Sequence, residues 1–233
     1  MKELLKVSGL WGGYTEGVDI LRGIDMTVRE GEAVGIIGLN GSGKSTLGKA
    51  VMNMLPYRRG EVFFDGENVS DMSTHELAGK GLSIMLQGGK VFPNLSVWDN
   101  LELAFADGLK DSFDRLRSII PLLQIPGRKL RYLGADKLSG GQKHQLALAM
   151  TLAKAPRFVI LDEPSAGLSP KAVEEMFVML KQARELMDLT VLLIEQNVAR
   201  AHSFCGNSLL VKQGIIDREF GPDALEEIDS VMF

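Results

Sequence analysis

Two short stretches hold residue types that can act together on a phosphate ester. The first is Gly38-Leu39-Asn40-Gly41-Ser42-Gly43-Lys44-Ser45-Thr46. Its spacing is that of a phosphate-binding loop, and the apolar run Ala33-Val34-Gly35-Ile36-Ile37 ahead of it reads as a buried strand. Gly38, Gly41 and Gly43 let the backbone curl so that consecutive N–H groups can point at phosphate oxygens, where side chains would intrude. A helix is expected from Thr46 to Met54, with its positive N-terminal end toward the same phosphates. Lys44 has the reach for β- and γ-phosphates, and the Ser45 hydroxyl suits a Mg²⁺ ligand. Asn40, Ser42 and Thr46 complete the loop positions expected at the nucleotide. A glycine-rich turn that binds nothing would need neither Lys44 nor Ser45.

The second stretch is Phe158-Val159-Ile160-Leu161-Asp162-Glu163, a continuous apolar strand ending in two carboxylates. Asp162 suits an acidic Mg²⁺ ligand, direct or through water, that partners Ser45. Glu163, beside the metal site, can act as general base on the water that attacks the γ-phosphate. A further anion site is expected where Ser139 caps a helix, placed at Lys143 to Ala153, and leaves the N–H groups of Gly140 and Gly141 exposed. Trp11-Gly12-Gly13-Tyr14 reads as a loosened loop with two rings, either able to stack on a flat base or simply to pack at the surface.

The elements that must position these residues alternate between strand and helix, with the polar groups at strand C-terminal ends, where open α/β sheets bind ligands. Strands are expected at Leu4 to Gly9, Ile20 to Val28, Glu61 to Asp65, Gly81 to Gln87 and Leu189 to Ile194. Asp65-Gly66 reads as a hairpin turn, and Ser73-Thr74-His75-Glu76 has capping-box form. From Ser96 to about residue 150 the pattern is helical, broken by Pro121, Pro126 and Gly134. Ser169-Pro170 starts a helix to about Leu186, and a short helix, a hairpin at Gln213-Gly214 and an acidic tail follow.

The 233 residues are 45% hydrophobic and 24% charged with net charge −4, so a sizeable core is expected and nucleic acid is not expected as a partner. Cys205 is the only cysteine, which excludes an internal disulfide. Met1 to Lys6 lacks the apolar core of a signal peptide, and no apolar run approaches the ~20 residues that span a bilayer, so any membrane role is expected to be peripheral.

In this order the motifs resemble the ATP-binding subunit of an ABC transporter along essentially the whole chain. Gly38 to Thr46 corresponds to Walker A, Phe158 to Glu163 to Walker B, and Leu138-Ser139-Gly140-Gly141-Gln142 to the family signature without a substitution. Ser165-Ala166-Gly167-Leu168 resembles the loop that crosses the dimer interface, with Gly167 where another small or polar residue is more usual. The resemblance makes Glu163 catalytic and places Gln87 where a glutamine senses Mg²⁺ and the γ-phosphate and links them to the membrane partner. It gives Tyr14 the role of adenine-stacking aromatic in preference to Trp11. It also places Ser139, Gly140, Gly141 and Gln142 on the nucleotide of a second subunit.

The family usually has a histidine on the γ-phosphate after the strand ending at Ile194; here Gln196 stands there, able to donate an amide hydrogen bond but not to take a charge. His75, His144 and His202 show no metal-ligand spacing, and His202 is expected to be a surface or packing residue. Ile194-Glu195-Gln196-Asn197 and Val91 to Val97 resemble one ATPase subunit of the importers for branched-chain amino acids and their urea and amide relatives. The fold so implied is a single α/β P-loop NTPase nucleotide-binding domain over residues 1–233, with an antiparallel β layer and a helical subdomain inserted from about Pro93 to Met150. The function implied is hydrolysis of ATP with Mg²⁺ to energise a membrane importer. Its partners would be a second identical or non-identical ATPase subunit, integral permease subunits and, indirectly, a solute-binding protein, at the cytoplasmic membrane face. An exporter ATPase, or a weakly hydrolysing regulatory subunit favoured by Gln196, are the rival readings.

Overall fold

A computed structural model describes residues 2–105 and 109–232. The chain opens with β1 (Glu3–Gly13) and β2 (Leu21–Arg29), continues into β3 (Ala33–Ile37) and α1 (Lys44–Val51), and returns through β4 (Tyr57–Phe64) and β5 (Glu67–Asn68). After α2 (Thr74–Gly79) and β6 (Leu82–Met85) come α3 (Val97–Phe105), α4 (Leu109–Arg117), α5 (Gly127–Leu130) and α6 (Gly140–Leu152), with single 3₁₀ turns at Pro121–Gln124 and Ala135–Lys137. Then follow β7 (Phe158–Asp162), α7 (Pro170–Met187), β8 (Thr190–Ile194), α8 (Val198–Cys205), β9 (Asn207–Lys212), β10 (Ile215–Phe220) and α9 (Leu225–Met232).

Two sheets form. β2-β1-β4-β5 is antiparallel, and β10-β9-β3-β8-β7-β6 is parallel except at the β9–β10 hairpin. Every residue of β3, β7 and β8 is buried, which explains their unbroken apolar sequences: both faces of this sheet are covered. The period-two alternation of a strand divides them between two cores. Ile36, Phe158, Ile160, Leu192 and Ile194 pack with Leu5, Leu10, Val28 and Leu47 under the antiparallel sheet and α1. Ile37, Val159, Leu161, Val191 and Leu193 pack instead with Leu101, Leu123, Leu148, Met176 and Leu180 from the helices.

Register brings the strand ends together. Ile36 and Asp162 are both paired with Ile194, and Met85 with Leu161. The loops that leave β3, β6, β7 and β8 therefore emerge side by side.

Several expected boundaries move. β1 runs on through Trp11 and Gly12 to Gly13, because Gly12 lies so close to β4 that a Cβ there would be 3.0 Å from the Tyr57 carbonyl. β4 likewise begins at Tyr57, not Glu61, and β6 ends at Met85, leaving Gln87 beyond the sheet. α1 starts at Lys44, not Thr46, and ends at Val51. α6 starts at Gly140, not Lys143, since Ser139 accepts from the Gln142 N–H while the Gln142 side chain accepts from the Ser139 N–H, a complete capping box. Residues 106–108 of the expected helical stretch lie outside the described residues.

Candidate active site

The phosphate loop bridges β3 and α1. Gly43, at φ 109, is the residue that admits the turn into the helix, and Gly38, at φ 146, passes so close to β9 that a Cβ would be 2.3 Å from the Val211 carbonyl. Asn40, Gly41, Gly43, Lys44, Ser45 and Thr46 line one side of a cavity of about 250 Å³, with Ile20 and Glu163 completing it. A larger cavity of about 1070 Å³ lies elsewhere, between α7 and α8, and holds none of these residues.

The loop is built for an anion. The buried Ser42 Oγ has no hydrogen-bond partner among the described residues. Lys44 is buried, its Nζ donating to the Gly38 carbonyl at 2.8 Å and the Leu39 carbonyl at 3.0 Å. Burial pushes its ammonium below the ordinary lysine range, while Glu163 and then Asp162 pull it back up. A phosphate would supply an anionic acceptor for Lys44, whose hydrogen bonds go to neutral carbonyls, and a partner for Ser42.

Ser45 Oγ donates to Asp162 Oδ1 at 2.7 Å, putting a hydroxyl and a carboxylate oxygen side by side. Burial raises the Asp162 pKa; the hydrogen bond from Ser45 opposes the rise, and neighbouring Glu163 adds to it. A pair of hard oxygen donors next to a phosphate loop fits Mg²⁺.

Glu163 is held from three directions. Its backbone is left-handed, φ 48, and its N–H donates to the Ile194 carbonyl at 2.9 Å. Gln87 Nε2 donates to Oε2 at 2.6 Å, and Gln196 Nε2 reaches Oε1 at 2.9 Å and Oε2 at 2.8 Å. The carboxylate is buried yet faces the phosphate loop across the cavity. A residue in so sparsely populated a conformation, fixed by its surroundings, is typical of functional positions.

Not every expected residue meets here. Ser139, Gly140, Gly141 and Gln142, at the start of α6, are absent from the cavity lining. So is Tyr14, just past β1 and 48% exposed; its hydroxyl accepts from Lys49 Nζ at 3.1 Å, which ties it to α1. Trp11 lies under the Arg59 guanidinium, 4.6 Å from its ring centroid, and is thus occupied in packing. His202 is buried, its ring nitrogens 3.3 Å from Ser208 Oγ and 2.9 Å from the Pro222 carbonyl, so it is a packing residue.

Sequence reasoning passed over Glu195. It is 3% exposed, with Ser165 Oγ donating to Oε1 at 2.5 Å and the Gln196 N–H donating to Oε2 at 3.1 Å. The available signal was a carboxylate directly after four apolar strand residues, Val191 to Ile194, the same pattern that singled out Asp162.

The ABC transporter family model matches residues 21–166. A probable branched-chain amino acid transport ATP-binding protein LivF of Archaeoglobus fulgidus is 34% identical over 215 residues, covering 91% of this chain and 89% of that protein. The lipopolysaccharide export system ATP-binding protein LptB of Escherichia coli is 32% identical, covering 85% of this chain and 83% of LptB. Among solved structures, cbiO1 of Clostridium perfringens, part of the ABC transporter complex cbiONQ, has TM-score 0.81 at 26% identity, covering 99% of this chain and 93% of that one. No helix of the described residues is long and apolar enough to cross a membrane.

Proposed function

This chain belongs to the ABC transporter family as an ATP-binding subunit that hydrolyses ATP, and on that premise we propose that it energises a membrane importer of branched-chain amino acids or related small amides. The observation that carries the catalytic part is the Glu163 carboxylate, clamped by Gln87 and Gln196 and facing the phosphate loop. The solute class is supported by the 34% identity to LivF and by Glu195-Gln196-Asn197 after β8. The 32% identity to LptB favours an exporter as the second reading.

The residues divide the work. Loop N–H groups from Gly38 to Thr46 and the Lys44 ammonium bind the phosphates, with Asn40 and Ser42 in the same loop and Tyr14 stacking on the adenine. Ser45, Asp162 and Gln87 would hold Mg²⁺, which would supply positive charge to offset that of the phosphates. Glu163 accepts a proton from the attacking water as the water oxygen bonds to the γ-phosphorus. The bond from that phosphorus to the β–γ bridging oxygen breaks, and ADP leaves with the electron pair. Gln196 keeps the Glu163 carboxylate oriented without adding a charge of its own.

Ser139, Gly140, Gly141 and Gln142 form an anion site that this chain's own phosphate loop does not use, and they serve the ATP bound by a second subunit, identical or not. The chain acts as one domain, with α3–α6 as its helical insert, peripheral on the cytoplasmic face against integral permease subunits that a solute-binding protein loads. Steady-state ATPase activity of the wild type beside Glu163→Gln tests the catalytic reading, with ATP binding retained and turnover abolished as the expected result. ATP-dependent uptake of leucine by vesicles carrying the companion permease tests the solute; vesicles that only expel substrate would decide for the exporter.

A further inference from the structure

A buried carboxylate is costly unless donors satisfy it, and Glu195 has two donors from functionally distinct segments. One is the hydroxyl of Ser165, in the loop between β7 and α7; the other is the backbone N–H of Gln196, the residue whose amide grips Glu163. Glu195 is itself anchored, its N–H donating to the Ile36 carbonyl at 3.3 Å at the end of β3, just before the phosphate loop. One side chain therefore spans the loop after β7 and the segment after β8.

We propose that Glu195 is a positioning residue for ATP hydrolysis, fixing Gln196 on Glu163 and coupling that grip to the loop containing Ser165. If Ser165 moves, Glu195 loses its shortest hydrogen bond and the peptide of Gln196 is freed to follow. The Gln196 side chain then no longer reaches both oxygens of Glu163. A rearrangement of the Ser165 loop is thus felt at the base through the Ser165–Glu195 and Gln196 N–H–Glu195 hydrogen bonds and then the Gln196 amide on Glu163. The inference rests on Glu163 being the base.

The test is a double-mutant cycle on the full chain with Ser165→Ala, Glu195→Gln and both together, reading kcat, KM for ATP, equilibrium ATP binding and melting temperature. Glu195→Gln keeps size and shape but offers one acceptor oxygen where two are used. Each single change is expected to lower kcat about tenfold, the scale of one hydrogen bond to a charged group, with ATP binding unchanged. The double variant is expected to be no worse than either single one, because both break the same link. Ser165→Thr, which keeps the hydroxyl, is expected to retain most of the wild-type kcat. Additive losses, a fall that follows weaker ATP binding or a lower melting temperature, or wild-type kcat in Glu195→Gln would each overturn the proposal. Glu163→Gln, measured alongside, separates the readings: if it still turns over, the assignment of the base fails whatever the cycle shows.

Discussion

Gln196 donates its side-chain amide to both oxygens of Glu163, at 2.9 and 2.8 Å, although the two residues follow different strands, β8 and β7. An amide in this position orients the carboxylate without competing for a proton. Replacing it with alanine leaves Gln87 as the one side-chain donor on Glu163 among the described residues. Gln196→Ala is expected to lower kcat about tenfold, on the scale of one charge-assisted hydrogen bond, with KM for ATP within about twofold. A steady-state titration that shows raised KM and unchanged kcat would assign Gln196 to substrate binding instead.

Lys44→Ala is expected to abolish both nucleotide binding and turnover. The ammonium is the buried cation of the loop, and in the folded chain it already bridges the Gly38 and Leu39 carbonyls. Fluorescent-nucleotide titration checks this. Near-normal affinity would mean that the backbone N–H groups alone carry phosphate binding.

Tyr14 offers an exposed ring whose hydroxyl is tied to Lys49. Tyr14→Ala is expected to raise KM for ATP by about 5- to 150-fold, from a stacking energy of roughly 1–3 kcal/mol, while Tyr14→Phe stays close to wild type. An equal loss in both variants would locate the effect in the Lys49 hydrogen bond and not in the ring.

Gly38→Ala tests the loop's conformation separately from its chemistry. With φ 146 and the Val211 carbonyl 2.3 Å from a Cβ, the substitution forces strain and a clash. The strained backbone alone is expected to cost roughly 1–3 kcal/mol in chemical denaturation. Wild-type stability would show that the loop can adopt another path past β9.

Arg157, just before β7, donates to Asp65 Oδ2 at 2.8 Å and Glu30 Oε1 at 2.6 Å, tying the parallel sheet to the antiparallel one. Its hydrogen bond, followed by that from Lys2, lowers the Asp65 carboxyl from 3.8 to about 2. A carboxylate lowered on folding adds stability that is fully present above the unfolded value of 3.8 and is lost as the pH falls through about 2. Arg157→Ala is therefore expected to be less stable above that window and to show a shallower decline within it. Acid-unfolding curves of unchanged slope would remove Asp65 from the acid response.

The boundaries the sequence missed each have a local cause. Trp11-Gly12-Gly13 reads as a loop because glycines usually loosen a strand, whereas here Gly12 permits the close pairing with β4 that extends β1. α1 begins at Lys44 because Gly43 adopts φ 109 with no side-chain cap, so no capping residue marks the start. Glu195 drew no role from the sequence, because its Ser165 donor lies 30 residues away along the chain.

What the sequence determines by itself is local: the glycine spacing of residues 38–46, the capping box at Ser73 and Glu76, and the apolar strands before Asp162 and Glu195. These depend on backbone conformation and period-two burial within a few residues, which chain order specifies directly. What only the tertiary structure decided is the convergence of Gln87, Glu163 and Gln196, separated by 76 and 33 residues. That convergence follows from the parallel register that sets Met85 against Leu161 and Asp162 against Ile194. Register is fixed by two cores closing on the sheet at once, and no single segment contains that information.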